Sequence, residues 1–166
     1  MTSWPSKLLN VLLRLALRSA STKVGGVFFT TVQPHLDRAL LQISRGRYSI
    51  AGIAIPTLLL TTKGRKTGKQ RTAPLLYLPS EDAETLYVMG SRGGREAHAG
   101  WYYNILDDDD VWVTLSGRRM HYRAIVLDEP TRTKIWQHFL EFNRHFQRYE
   151  QRLKREIPII QLTPSV

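Results

Sequence analysis

The hydrophobic positions between residues 57 and 127 follow the two-residue period of β-strands. Apolar, β-rich runs alternate with turns that contain glycine and basic residues. Two pairs of runs are each joined by a turn, which indicates two antiparallel hairpins. Five strands are predicted, over residues 57–62, 70–78, 85–91, 111–116 and 119–127.

The period changes to that of a helix after Glu129-Pro130. Large apolar residues then recur at intervals of three and four, which predicts one C-terminal helix over 130–155 with an aromatic stripe. The stripe consists of Ile135, Phe139, Phe142, Phe146, Tyr149 and Leu153. Shorter helical segments are predicted over 37–44 and 97–106.

Residues 1–23 have the pattern of an amphipathic N-terminal helix. Asn10 and Arg14 interrupt the apolar run 8–17, which is also too short to span a bilayer. The polar side carries only cations, so two interpretations stay open. The helix packs on its own domain, or it lies on a membrane surface.

Antiparallel hairpins with helices at both ends predict an α+β fold, mainly antiparallel β, built as a small barrel. A length of 166 residues fits a single domain over 1–166. No Gly-x-Gly-x-x-Gly segment follows a strand, which disfavours nicotinamide binding on a parallel sheet. The absence of cysteine excludes disulfides, thiolate nucleophiles and cysteine metal sites.

The formal net charge of +10 favours an anionic partner, such as nucleic acid, acidic lipid or an anionic cofactor. Part of that charge is concentrated in the first hairpin turn, which contains Lys63, Arg65, Lys66, Lys69 and Arg71. A glycine-punctuated turn of this kind offers backbone N–H groups and cations to phosphate or carboxylate. An ordinary exposed hairpin with solubilising lysines is the alternative.

A second candidate segment runs from residue 89 to 104, where a strand ends in glycines and aromatic residues open a helix. Such a place accepts a flat ring, with Ser91 and Asn104 as hydrogen-bonding groups and Trp101 as a wall. Each residue also has a structural explanation, in the core or at the end of an element. His98 fits a packed or surface histidine better than a general base.

Together these segments resemble the deazaflavin-dependent nitroreductase family, also called the deazaflavin-dependent oxidoreductases. The similarity covers residues 57–162 and rests on five strings in the same order. They are Leu59-Leu-Thr-Thr-Lys-Gly-Arg-Lys-Thr-Gly, Arg71-Thr-Ala-Pro-Leu, Gly90-Ser-Arg-Gly-Gly, Trp101-Tyr-Tyr-Asn and Arg155-Glu-Ile-Pro-Ile.

The resemblance implies a split β-barrel of the FMN-binding type that holds coenzyme F-420, an 8-hydroxy-5-deazaflavin, with no metal. The basic turn would hold the phosphate and oligoglutamate tail of the coenzyme. The implied cofactor-binding residues are Arg65, Lys66, Thr67, Arg71, Thr72, Ala73, Pro74, Leu75, Leu76, Met89, Gly90, Ser91, Arg92, Gly100, Trp101, Tyr102, Tyr103, Asn104 and Phe146.

The implied reaction is hydride transfer to a small electrophilic acceptor: a quinone, a nitro compound or an activated enone. Ser91 and Tyr149 are the candidate catalytic residues, as groups that hydrogen-bond or protonate the acceptor. For Tyr149, docking of its helix is an equal alternative. Ala99, Gly100, Phe146 and the run 107–110 depart from the family pattern, which makes nitro reduction less secure than hydride transfer.

Three other interpretations stay open at this point. An FMN-dependent barrel enzyme would need fewer cations, and a non-catalytic protein could carry the cofactor. A nucleic-acid-binding module would use the basic turn with Trp101, Tyr102 and Tyr103 as stacking residues, and it ranks below the enzymes. The resemblance implies a cytoplasmic protein, with peripheral contact to the inner face of the plasma membrane if the N-terminal helix binds lipid.

Overall fold

The computed structural model describes residues 56–165, in which six strands close into a barrel. All neighbouring strands are antiparallel, and their order around the barrel is β1-β2-β3-β6-β5-β4. The strands are β1 (Thr57–Lys63), β2 (Gln70–Pro79), β3 (Leu86–Met89), β4 (Asp110–Leu115), β5 (Arg118–Val126) and β6 (Ile159–Pro164).

Strand β6 closes the barrel and was not among the five predicted strands. It lies between β3 and β5, with Leu162 opposite both Leu86 and Ala124. Without it, β3 and β5 would each leave a row of backbone groups unpaired. The β-branched residues Ile159 and Ile160 are the sequence signal for this strand.

The predicted helix over 130–155 is broken into three short pieces. Asn143 has an extended backbone, with φ −154° and ψ 104°, and ends the first piece. Asparagine competes for backbone hydrogen bonds in this way at helix ends. Phe142, the last residue of the first piece and a member of the predicted stripe, is 41% exposed. The helices are α1 (Gly100–Asp107), α2 (Thr131–Phe142), a 3-10 turn (Arg144–Phe146) and α3 (Gln147–Arg152).

The buried side chains form two clusters. The first fills the barrel and includes Leu58, Leu60 and Leu162, with Trp101 and Ile105 of α1 packed against them. The second joins the C-terminal helices to the strands, with Met89, Ile135, Trp136, Phe139, Ile157 and Ile159 as its buried members. Burial of each such side chain contributes about 1.5–3 kcal/mol. The clusters therefore fix α1 and the C-terminal helices against the barrel.

The predicted N-terminal helix over 1–23, its membrane contact and the helical segment over 37–44 lie outside the described residues. The assignment of a single domain to 1–166 stays a prediction. Within residues 56–165, no helix is long and apolar enough to cross a membrane.

Candidate functional site

A cleft of about 810 Å³ lies between the β1–β2 turn and α1. Eleven of the residues predicted from the sequence line it: Arg65, Lys66, Thr67, Arg71, Thr72, Ala73, Arg92, Gly100, Trp101, Tyr103 and Asn104. Gly64 and Ala99 line it as well and were not predicted. The structure therefore brings the basic turn and the aromatic helix together in one place.

Several backbone donors of the β1–β2 turn are used within the protein. The N–H of Gly64 donates to Lys69, and the N–H groups of Thr67 and Gly68 donate to Gly64. The Lys69 N–H donates to the Thr67 hydroxyl at 3.4 Å. These N–H groups are engaged within the protein, so a bound anion would meet mainly the side-chain cations of the turn.

Asn104 fixes the turn to α1. Its Nδ2 donates to the Thr62 hydroxyl at 2.9 Å, and its Oδ1 accepts the Arg65 backbone N–H at 3.2 Å. Asn104 is buried, and its hydrogen bond to Thr62 is shielded from water, while the bond from Arg65 is partly buried. Although Asn104 lines the cleft, each of its polar atoms has a partner in the protein. Asn104 therefore holds the backbone of Arg65 in place.

The cleft is strongly positive. None of the described residues that line it is an aspartate or glutamate. The Arg65 guanidinium lies 5.0 Å from the centre of the Tyr103 ring, which favours one orientation of an otherwise mobile side chain. The cationic side chains of the lining are Arg65, Lys66, Arg71 and Arg92. Four cations around an aromatic wall suit a flat ligand with several negative charges.

The segment after β3 forms a tight turn over residues 91–94, which we call the glycine turn. Arg92 and Gly93 both have positive φ angles, 48° and 65°, and the Gly94 N–H donates to the Ser91 carbonyl at 3.0 Å. Arg92 extends from this turn into the cleft lining. Its guanidinium also donates to the carbonyls of Ala97 and His98, at 3.4 and 3.2 Å.

Of the two candidate catalytic residues, Ser91 begins the glycine turn and Tyr149 lies beside it. The Ser91 carbonyl closes it, and a Cβ placed on Gly94 would lie 2.9 Å from Cδ1 of Tyr149. Neither residue is part of the cleft lining. Ser91 belongs to the turn that carries Arg92, and the Tyr149 ring lies next to that turn.

The family model described as F420H(2)-dependent quinone reductase matches residues 38–164. The chain belongs to this family. An F420H(2)-dependent quinone reductase of Mycobacterium tuberculosis (strain H37Rv) is 33% identical over 133 residues, which cover 77% of this chain and 87% of that protein.

The barrel of this quinone reductase family member is similar to two solved structures. An F420-H2 dependent reductase (FDR-A) is 27% identical, with a TM-score of 0.58, over 64% of this chain and 93% of that one. A domain-swapped dimer is 26% identical, with a TM-score of 0.61, over 79% of this chain and 96% of that one. The predicted split β-barrel is confirmed.

In this quinone reductase family member, the other predicted site residues lie in or near the two core clusters. Leu75 and Tyr102 pack on the first cluster, and Leu76 and Phe146 pack on the second. Pro74 is paired with Leu59 in the sheet, Met89 is buried, and Gly90 contacts Pro158. These seven residues lie outside the cleft lining. Their roles toward a cofactor stay predictions.

His98 lies beside the cleft with a buried nitrogen. Its Nδ1 has no hydrogen-bond partner among the described residues, and its ring stacks on Tyr102 at 4.5 Å. Burial, and then the charge of Arg155, hold the pKa of His98 below its usual value. The neutral ring is therefore the form that the folded protein favours.

Replacement of His98 by phenylalanine is expected to flatten part of the pH dependence of stability. Because the pKa of His98 is lowered on folding, the unfolded chain binds more protons as the pH falls through about 6.5. The wild type therefore loses stability below that pH, and His98→Phe, which keeps the stacked ring, loses less. Urea midpoints at pH 8, 7, 6 and 5.5 measure the difference. Parallel curves for the two proteins would contradict this assignment.

Proposed function

We propose that this chain is an oxidoreductase that transfers a hydride from reduced coenzyme F-420 to a quinone. Nitro compounds and activated enones are proposed as further acceptors. The observation that carries the proposal is the cleft itself, where four cations surround an aromatic wall without a carboxylate among its described lining residues. The names of the relatives, F420H(2)-dependent quinone reductases, support it.

The cleft residues fit this cofactor in size, shape and charge. A volume of about 810 Å³ lies in the range of sites for large organic ligands. Ala73, Ala99 and Gly100 contribute small side chains, and a Cβ added at Gly100 would meet no atom within 4 Å. These positions therefore leave room beside Trp101. The cations at its rim match a tail that carries a phosphate and several carboxylates.

When bound, the reduced deazaflavin supplies a hydride to the acceptor. The protein supplies orientation and electrostatic stabilisation. Trp101 is buried and rigid enough to set the plane of a ring, while Arg65 and Lys66 hold anionic groups at the rim. We assign to Ser91 and Tyr149 a hydrogen bond or a proton for the acceptor oxygen, since Ser91 begins the glycine turn that carries Arg92 and Tyr149 lies beside this turn.

A quinone acceptor links the reaction to the membrane, where lipid-soluble quinones reside. The proposal therefore includes a cytoplasmic protein with peripheral contact to the inner face of the plasma membrane through residues 1–23, whose cationic pattern suits anionic lipid. Cosedimentation of the full chain with anionic vesicles tests this contact. Complete recovery in the supernatant counts against it.

Fluorescence titration of the purified chain with coenzyme F-420 and with FMN tests the cofactor. We expect the deazaflavin to bind at least about tenfold more tightly, or about 1.4 kcal/mol, because FMN offers one phosphate to four cations. Consumption of the reduced coenzyme is then followed with a water-soluble quinone as acceptor. Tighter binding of FMN would show that FMN, and not coenzyme F-420, is the cofactor. Binding of the coenzyme without turnover would indicate a non-catalytic carrier.

A further inference from the structure

Arg155 joins the C-terminal segment to the glycine turn. Its guanidinium donates to main-chain carbonyls on both sides of the turn, and the shortest of these hydrogen bonds, to Glu96, is 2.6 Å. The bond to Arg95 is 2.9 Å. The acceptors in this loop are the carbonyls of Gly90, Ser91, Arg95 and Glu96.

Neighbouring residues of the same segment contact the loop independently. The Gly90 N–H donates to the Pro158 carbonyl at 2.8 Å, and the Lys154 N–H donates to the Glu96 carboxylate at 2.9 Å. Each of these contacts holds one end of the loop, whereas Arg155 bridges both ends. Its Nε donates to Glu96 and its Nη2 to the other three carbonyls, so one planar group reaches both ends of the loop in a geometry that a lysine ammonium does not reproduce.

The loop contains backbone conformations that are unfavourable on their own. Arg92 and Gly93 are both in the left-handed region, which is strained for a residue with a side chain such as Arg92. Several carbonyl dipoles also point toward the same place, and their mutual repulsion is relieved by a cation. The guanidinium of Arg155 therefore stabilises the turn that carries Arg92, and Arg92 is one of the residues that line the cleft.

We propose that Arg155 is a positioning residue for the cleft: through the carbonyls of the glycine turn, it holds Arg92 where a bound anion would be met. This inference rests on the proposed function only in its choice of coenzyme F-420 as the anion. Arg155 is outside the cleft lining, so its effect on a ligand passes through Arg92.

The test compares Arg155→Gln and Arg155→Lys with Arg152→Gln, which removes an exposed cation from α3 in the same segment. Amide hydrogen exchange of residues 90–98 is measured without any ligand. Coenzyme F-420 dissociation constants are measured well below the melting temperature. Arg92→Gln and the double variant Arg92→Gln/Arg155→Gln complete a thermodynamic cycle.

Arg155→Gln is expected to raise exchange over residues 90–98, with the barrel strands unchanged, and to weaken coenzyme binding about tenfold. The exchange rates and the coenzyme affinity of Arg155→Lys should lie between those of Arg155→Gln and those of the wild type. The double variant should bind no more weakly than Arg92→Gln, because Arg155 acts through Arg92. Additive losses, or exchange and binding equal to those of Arg152→Gln, would overturn the inference. A wild type that binds no coenzyme refutes the proposed function, while the exchange measurement still decides whether Arg155 holds the turn.

Discussion

Replacement of Arg65 and Lys66 together by alanine is expected to weaken binding of coenzyme F-420 by about 100-fold. Both side chains line the cleft, and their charges face it without a competing carboxylate in the described lining. A hydrogen bond to a charged group contributes about 1.5–3 kcal/mol, and solvent screening at these exposed positions reduces that to about 1.4 kcal/mol each. Each such loss corresponds to a factor of ten in the dissociation constant.

A matched control distinguishes the effect of direct contact with the coenzyme from the effect of the protein's net positive charge. Arg118→Ala/Lys134→Ala removes one arginine and one lysine at exposed positions outside the cleft, so the net charge falls by the same amount. We expect this control to change the dissociation constant less than threefold at 0.15 M salt, where exposed charges are screened beyond about 8 Å. Equal losses in the two double variants would assign the affinity to long-range attraction and remove the basic turn from the site.

The sequence was sufficient for the parts of the site that lie close together along the chain. A hairpin turn must present its cations at one end of two paired strands, so Arg65, Lys66 and Arg71 could be grouped from the sequence alone. The same holds for Gly100 to Asn104, which open one helix. That the two groups face one cleft followed only from the family resemblance, because 28 residues of chain separate Arg71 from Gly100 and local patterns do not bridge such a distance.

The contacts from the C-terminal segment could not be obtained in this way. Arg155 belongs to a string that resembles the family, but nothing in that string says that it reaches a carbonyl 65 residues away. Two features of this segment determine where it runs: the break at Asn143 and strand β6. The break was missed because the aromatic spacing of three and four continues across Asn143, and the strand because its short apolar run becomes a strand only by pairing with β3 and β5. The consequence is functional, since this segment supports the glycine turn.

The close contact between Tyr149 and Gly94 leads to the second large effect. Gly94→Ala is expected to lower the free energy of unfolding by about 3 kcal/mol. The positive φ of 76° costs alanine about 1–2 kcal/mol, and the new Cβ would lie 2.9 Å from the Tyr149 ring, which adds about 1–3 kcal/mol. Gly93→Ala is the matched control, because its φ of 65° is similar but a Cβ there meets nothing within 4 Å.

Urea unfolding and quinone turnover of the two variants distinguish the causes. Gly93→Ala should lose about 1–2 kcal/mol and keep its turnover, while Gly94→Ala should also lose turnover, because the Tyr149 ring must move away from the turn that carries Arg92. In a Tyr149→Ala background the extra cost of Gly94→Ala should fall to that of Gly93→Ala. If Gly94→Ala loses stability through the ring contact but keeps full turnover, Tyr149 only docks α3 on the barrel. Tyr149→Phe would then be as active as the wild type.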